Sequence, residues 1–111
     1  MYYNILTAEL KETAVKTYTG EYAWKYKETK KIIEYLKSCE YIILGGDVLN
    51  DMLNYTYDNW YYEVEHESSV IEAIAASASK AVQYLDMYHT KNGDSYYYIL
   101  VAEKKRYALN L

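Results

Sequence analysis

The sequence predicts an α+β domain in which a small antiparallel sheet of about three strands packs against two or three helices. Three observations lead to this prediction. Two segments repeat apolar residues at helical spacing, and three shorter segments are rich in β-branched and aromatic residues. The chain has 111 residues, which suits a single domain over residues 1–111 with one modest core.

The N-terminal part is predicted to be mostly helical. Residues 7–18 form a candidate first helix, because their apolar positions recur at helical spacing until Gly20 interrupts them. Residues 22–24 then form a short connector or an extended segment. A second helix covers about residues 27–38, where an apolar face lies opposite a lysine-rich one.

The clearest element is a long helix over about residues 69–89. Ser69 and Glu72 have the spacing of a capping box, and Asn92 and Gly93 supply a stop signal. The small residues in its apolar stripe would let this helix lie close against a sheet. The stripe comprises Ile71, Ile74, Ala75, Ala78, Ala81, Val82, Leu85 and Tyr88.

Three segments are predicted to be strands, namely residues 41–44, 55–65 and 96–102. The link between the first two is short enough for antiparallel pairing. Alternation within the second strand places Trp60 on one face and Tyr61 on the other. The face that carries Tyr61 is a binding patch if no helix covers it and ordinary packing if one does, and the sequence leaves both open.

Tyrosine and charge are used unevenly along the chain. There are 17 Tyr and no Phe, and so many rings cannot all lie in the core of a small domain. Residues 38–79 contain eight acidic residues and no Lys or Arg. Such a stretch suits docking onto a basic partner. It argues against a nucleic acid as a direct partner, because phosphates need cations.

Other classes of protein are disfavoured by what the sequence lacks. No run approaches about 18 apolar residues, so no membrane span is expected. The single cysteine, Cys39, excludes an internal disulfide and favours a reducing cytoplasm. No phosphate-binding loop, zinc-protease motif or nucleophile elbow is present, and the acids near His66 follow no known metal-ligand spacing. We therefore expect no catalytic residues, no metal and no cofactor.

Two short motifs give the chain a family resemblance. The sequence ILGGDV at residues 43–48, followed by YTYDNWY at residues 55–61, resembles a family of bacterial immunity proteins, immunity protein 40. The similarity extends over about residues 22–102. One departure is Leu49, where the family's pattern would have an aromatic residue. The resemblance implies a partner protein that neutralises a cognate toxin in a polymorphic or contact-dependent toxin system, and it does not identify the toxin.

Together, the resemblance and the acidic, Tyr-rich composition predict a non-enzymatic toxin inhibitor in the cytoplasm, as a monomer or weak homodimer. A basic toxin, such as a nuclease-type domain, is the partner that this surface suits. The predicted contact residues are Asp47, Asp51, Tyr55, Tyr57, Asp58, Tyr61, Glu63 and Glu65. Structural roles are predicted for Gly45, Gly46 and Trp60.

The residues alone leave two further classes open. One is a small-ligand or regulatory binding domain with a pocket between sheet and helix and Asp47 at its rim. A deep pocket lined by Asp47, Asp58 and Trp60 would support it. The other is an enzyme, which a metal held by Asp47 and Asp58 would support.

Overall fold

One antiparallel sheet organises the computed structural model, which describes residues 1–64 and 69–104. Its strand order is β1-β2-β5-β3-β4, so β1 and β4 form the edges. The strands are β1 (Val15–Lys16), β2 (Tyr22–Lys25), β3 (Tyr41–Leu49), β4 (Tyr55–Tyr61) and β5 (Tyr97–Lys104). The described helices are a 3-10 turn (Tyr2–Ile5), α1 (Ala8–Glu12), α2 (Tyr26–Ser38) and α3 (Val70–Asn92). The α+β class and the antiparallel sheet are confirmed.

The predicted number of strands is wrong, because the described sheet has five strands and not about three. The error arises at residues 7–18. Thr7 caps a helix of only five residues, its Oγ1 accepting a hydrogen bond of 3.3 Å from the backbone N–H of Leu10. Val15 then pairs with Ala23 in the β1–β2 hairpin. The β-branched residues at 13, 15 and 17 alternate at strand spacing, and this pattern outweighs the helical spacing.

The long helix is confirmed and runs slightly further than predicted, from Val70 to Asn92. The Ser69 hydroxyl accepts a hydrogen bond of 3.1 Å from the backbone N–H of Glu72, as the capping pattern predicts. Gly93 ends the helix at a φ of 88°. No helix among residues 1–64 and 69–104 combines the length and the apolar character that crossing a bilayer requires.

The main core lies between one face of the sheet and the helices α2 and α3. Ile33 and Leu85 are fully buried there against Tyr98 and Leu100 of β5. The helix α3 lies close to β3 at Ser77, a residue outside the predicted stripe, whose hydroxyl accepts a hydrogen bond of 3.0 Å from the backbone N–H of Ile43. That bond satisfies a backbone donor beside the irregularity between Ile43 and Gly45 in the β3–β5 pairing.

The opposite face of the sheet has a smaller core at one end, over which no helix of the described residues packs, and we call it the helix-free face. Ala23, Leu49 and Ile99 are fully buried there. Val15 of β1 and Leu53 of the loop between β3 and β4 pack over them. Two chain reversals that are far apart in sequence therefore come together at this end of the sheet.

The strands predicted from the apolar runs exist with different lengths. The antiparallel pairing of β3 with β4 is confirmed, and β3 continues through Gly46 and Asp47 to Leu49. By contrast, β4 ends at Tyr61, and part of the predicted 55–65 strand lies outside the described residues.

Candidate protein-binding surface

The turn between β1 and β2, residues 17–21, presents Tyr18 to solvent on a rigid support. Its ring is 93% exposed. The backbone N–H of Glu21 donates to Thr17 Oγ1 at 3.1 Å, and Thr19 Oγ1 donates to Glu21 Oε1 at 2.7 Å. Gly20, at a φ of 84°, supplies the left-handed residue that closes the turn. Hydrogen bonds within the turn thus support the backbone that carries the exposed ring.

A second exposed ring, that of Tyr57, stands on a bulge in the edge strand β4. The pairing of β3 with β4 shifts between Asp47 and Leu49. Thr56 supports the bulge, since its Oγ1 donates to Val48 O at 2.9 Å and accepts from the backbone N–H of Asp58 at 3.1 Å. Tyr57 takes a φ of 70° and its side chain is 87% exposed. A tyrosine in this backbone region is uncommon and costs on the order of 1–3 kcal/mol, and such strain concentrates at functional sites.

Tyr55 joins the two turns across the helix-free face. Its hydroxyl donates to Glu21 Oε1 at 2.8 Å. This bond, together with partial burial, raises the pKa of Tyr55 to about 12. A groove of about 410 Å³ opens beside it. The groove is lined by Thr17, Tyr18, Thr19, Leu53, Asn54, Tyr55 and Tyr57.

Asp47 lies on the same face, two residues before Leu49, which pairs with Tyr55. It pairs with Asn59 of β4 and with Ile99 of β5, and the Ile99 side chain lies on the helix-free face. Burial raises the pKa of the Asp47 carboxyl, and the negative charge of Glu21 raises it further. The charge of Asp47 in turn contributes to the raised pKa of Tyr55. Glu21, Asp47 and Tyr55 therefore form one electrostatic cluster.

Most of the chain matches one known protein family. The profile of the family described as Immunity protein 40 matches residues 9–102, which is most of the chain. The chain belongs to this family. Its match includes β1, β2 and the turn between them as well as the two motifs in β3 and β4, so the resemblance seen in the sequence is confirmed. No curated protein and no solved structure matches the chain.

In this immunity protein 40 chain, Asp58 lies on the other side of β4. Its Oδ2 accepts a hydrogen bond of 2.7 Å from the hydroxyl of Tyr88 on α3. Burial and this bond raise the pKa of Tyr88 to about 12. Asp47 and Asp58 are thus on opposite sides of the sheet, and the predicted contact residues do not share one face.

The remaining predicted contact residues are spread along the chain. Asp51 is exposed in the loop between β3 and β4, where the Asn50 side chain accepts backbone hydrogen bonds. Tyr61 and Glu63 are exposed near the far end of β4, and the Lys80 ammonium lies 5.5 Å from the Tyr61 ring centroid. Glu65 lies outside the described residues. The structure therefore groups Asp47, Asp51, Tyr55 and Tyr57 at one end of the helix-free face.

Two residues that the structure brings close to this group, Tyr18 and Glu21, are absent from the predicted contact residues. Both belong to the segment that helical spacing assigned to a helix and its end. The alternation of threonine and valine up to Thr17, followed by Thr19 and Gly20, is the signal of a strand leading into a turn. That signal would have placed Tyr18 at the tip of a hairpin.

Gly46 and Trp60 pack against each other on the helix side of β3 and β4. A Cβ at Gly46 would come within 2.6 Å of Trp60 Cζ3 and 2.5 Å of Ile99 O. The Trp60 indole in turn stacks on Tyr84 of α3 at a centroid distance of 4.7 Å. These contacts describe a packing role and agree with the structural roles that we expect for Gly46 and Trp60.

The opposed positions of Asp47, Asp58 and Trp60 also bear on the alternative functions. Because Trp60 packs against α3 while Asp47 lies on the helix-free face, the two cannot line one pocket between sheet and helix. Within residues 1–64 and 69–104, no group of three His, Cys, Asp or Glu side chains is arranged to hold a metal ion.

Proposed function

We propose that this immunity protein neutralises a cognate toxin by covering it in a stoichiometric complex, and that the contact is centred on the groove end of the helix-free face. One observation carries the proposal. Two widely exposed tyrosines, Tyr18 and Tyr57, line one groove together with Tyr55, and Glu21 and Asp47 place two carboxylates near Tyr55 on the same face. Membership of the family supports the class of function.

The hydrogen-bonded turn and bulge that carry Tyr18 and Tyr57 favour tight binding. Tyrosine supplies a large contact area with a polar tip, and it is enriched among the residues that dominate binding energy. Association costs less when the backbone that carries such side chains is already ordered, because less loop freedom is lost. The bonds around Thr17 and Thr56 provide that preorganisation.

The acidic character of the same region favours a basic partner. Residues 38–79 carry eight acids and no Lys or Arg, and Asp51 and Glu63 project their charge into solvent. A field of one sign increases the rate of encounter with a toxin of the opposite sign, such as a nuclease-type domain that binds phosphate. The free thiol of Cys39 is compatible with an encounter in the cytoplasm.

The proposal is tested with the toxin domain encoded next to this gene. We expect co-expression of the immunity protein to restore growth of cells that produce the toxin, and the purified proteins to form a complex of fixed stoichiometry. Tyr18→Ala and Tyr57→Ala should each weaken binding about 30-fold or more, as for a central interface residue. The matched control is Ile71→Ala, which removes an 80% exposed apolar side chain from α3. If Ile71→Ala weakened the complex while both tyrosine variants bound normally, the proposed surface would be wrong. If the wild-type protein did not restore growth, the proposed function would be wrong.

A further inference from the structure

We propose that the groove between the 17–21 turn and the β4 bulge receives an arginine side chain of the bound toxin, with Tyr18, Tyr55 and Tyr57 around the guanidinium and Glu21 and Asp47 as its acceptors. The inference rests on the proposed function and adds the chemistry of one contact to it. It involves two residues, Tyr18 and Glu21, that lie outside the acidic stretch of the sequence.

The groove is lined by uncharged side chains, and the two carboxylates close to its Tyr55 have no compensating cation within the described protein. Among residues 1–64 and 69–104, neither Glu21 nor Asp47 forms an ion pair with a basic side chain. One oxygen of Glu21 accepts bonds from Tyr55 and Thr19. Asp47 is half-buried, and its pKa is raised by this burial and by the negative charge of Glu21. Two neighbouring carboxylates of which one is partly desolvated are stabilised by an incoming cation.

The aromatic lining selects among cations. Tyrosine faces attract cations, and arginine is the cation that most often occupies such positions, because its planar guanidinium stacks on rings while its edge donates hydrogen bonds. A lysine ammonium is a more strongly hydrated point charge and lacks the fork that can bridge two carboxylates. A calcium ion needs six to eight oxygen ligands, far more than Glu21 and Asp47 provide. The geometry therefore favours a guanidinium.

The openness of the groove favours a side chain from another protein over a free small molecule. It lies between two surface turns and not inside the core, and Tyr18 at its rim is almost fully exposed. Small-molecule sites generally enclose most of their ligand. An arginine on a protein surface, by contrast, needs only its head group covered, while the rest of the interface supplies the remaining binding energy.

The test uses the full chain, labelled with 15N, and Nα-acetyl-arginine methylamide as the probe, followed by NMR chemical shifts. We expect saturable shifts at residues 17–21 and 55–58, with a dissociation constant on the order of 10 mM, as for one exposed contact pair. The citrulline analogue, which has nearly the same shape and no charge, should cause no saturable shift there. Asp47→Asn should weaken probe binding about tenfold. Glu34→Gln, which makes the same change of charge at an exposed position on α2, should change it less than about twofold.

Three results would overturn the inference: shifts spread over the surface without a focus on the groove, equal binding of the citrulline analogue, or equal losses in Asp47→Asn and Glu34→Gln. The neutralisation experiment separates this inference from the proposed function. A wild-type protein that neutralises its toxin but gives no localised arginine shifts would refute the groove contact alone. Failure to neutralise would refute the function, whatever the titration shows. With the toxin in hand, a double-mutant cycle between Asp47→Asn and each toxin arginine should find one coupled pair.

Discussion

Adding one methyl group at Gly46 should destabilise this protein severely. Gly46 pairs with Trp60 on β4 and with Leu100 on β5, so backbone flanks it on both sides. The new Cβ would lie 2.5 Å from Ile99 O and 2.6 Å from Trp60 Cζ3. The carbonyl cannot retreat without loosening the pairing of β3 with β5, and the indole is held by its stack on Tyr84.

The magnitude follows from these contacts. Overpacking a core usually costs about 1–3 kcal/mol. Because one of the clashing atoms belongs to a strand backbone, we expect Gly46→Ala to reach the upper end, about 3 kcal/mol. That is a large fraction of the total stability of a domain, about 5–15 kcal/mol.

Urea unfolding followed by tryptophan fluorescence measures the loss. With a denaturant slope of about 2 kcal/mol/M, the midpoint should fall by about 1.5 M. The control is Gly20→Ala, where a Cβ would meet nothing within 4 Å and only the φ of 84° penalises the substitution. That penalty is about 1–2 kcal/mol, so the midpoint should fall by less than 1 M. A Gly46→Ala protein that unfolds at the wild-type midpoint, or above that of Gly20→Ala, would refute the packing argument.

Three further predictions concern the core, the groove and the charge. Ser77→Ala removes the acceptor of the backbone N–H of Ile43 and should cost about 1–3 kcal/mol in urea unfolding, whereas an unchanged midpoint would mean that water replaces the hydroxyl. The pKa of Asp47 is raised in the folded protein, so the folded state binds a proton more tightly than the unfolded chain does. The stability of the wild type therefore falls as pH rises from the usual aspartate pKa to the raised pKa of the folded state. Asp47→Asn should therefore be more stable than the wild type at pH 7, and this difference should vanish below the usual aspartate pKa of about 3.9; a difference independent of pH would exclude this linkage. Asp51→Lys should slow association with the toxin about threefold to tenfold at low salt, while the same substitution at the exposed Glu34 of α2 should have little effect. Equal rates for the two would remove charge steering from the mechanism.

The elements that the sequence predicts correctly are those with long or unambiguous patterns. The helix α3 spans more than five turns of one apolar stripe and carries a cap at each end, so its periodicity has no competitor. The strand pair β1–β2 has the opposite character. With two residues, β1 offers no periodicity of its own, and the flanking apolar residues fit a helix equally well. Only the pairing of Val15 with Ala23 decides between the two, and pairing is a tertiary contact.

The sequence leaves open whether a helix covers the face of β4 that carries Tyr61, and a binding role for that face stays a prediction. Among residues 1–64 and 69–104, the helices α2 and α3 pack mainly on the face that carries Trp60, and no helix packs over the end of the opposite face where Ala23, Leu49 and Ile99 are buried. The sequence could not choose, because the alternation within β4 fixes which side chains share a face and not which layer covers that face. The 17–21 turn adds further residues to that face from a segment more than 30 positions earlier, through the bond between Tyr55 and Glu21.

Asp58 shows why charge along the chain does not translate into charge on a surface. Its place in a stretch of eight acids without a single Lys or Arg predicts a solvated carboxylate on a common acidic patch. Its parity with Trp60 along β4 predicts the side that faces α3 instead. Asp58 stays exposed in the structure, but its carboxylate lies on the α3 side, where it accepts a hydrogen bond of 2.7 Å from the hydroxyl of Tyr88, 30 residues later. To infer a binding surface from the charges in a sequence, one must therefore know which residue each carboxylate contacts. In this protein, the contact with Tyr88 places Asp58 on the side of the sheet opposite to Asp47.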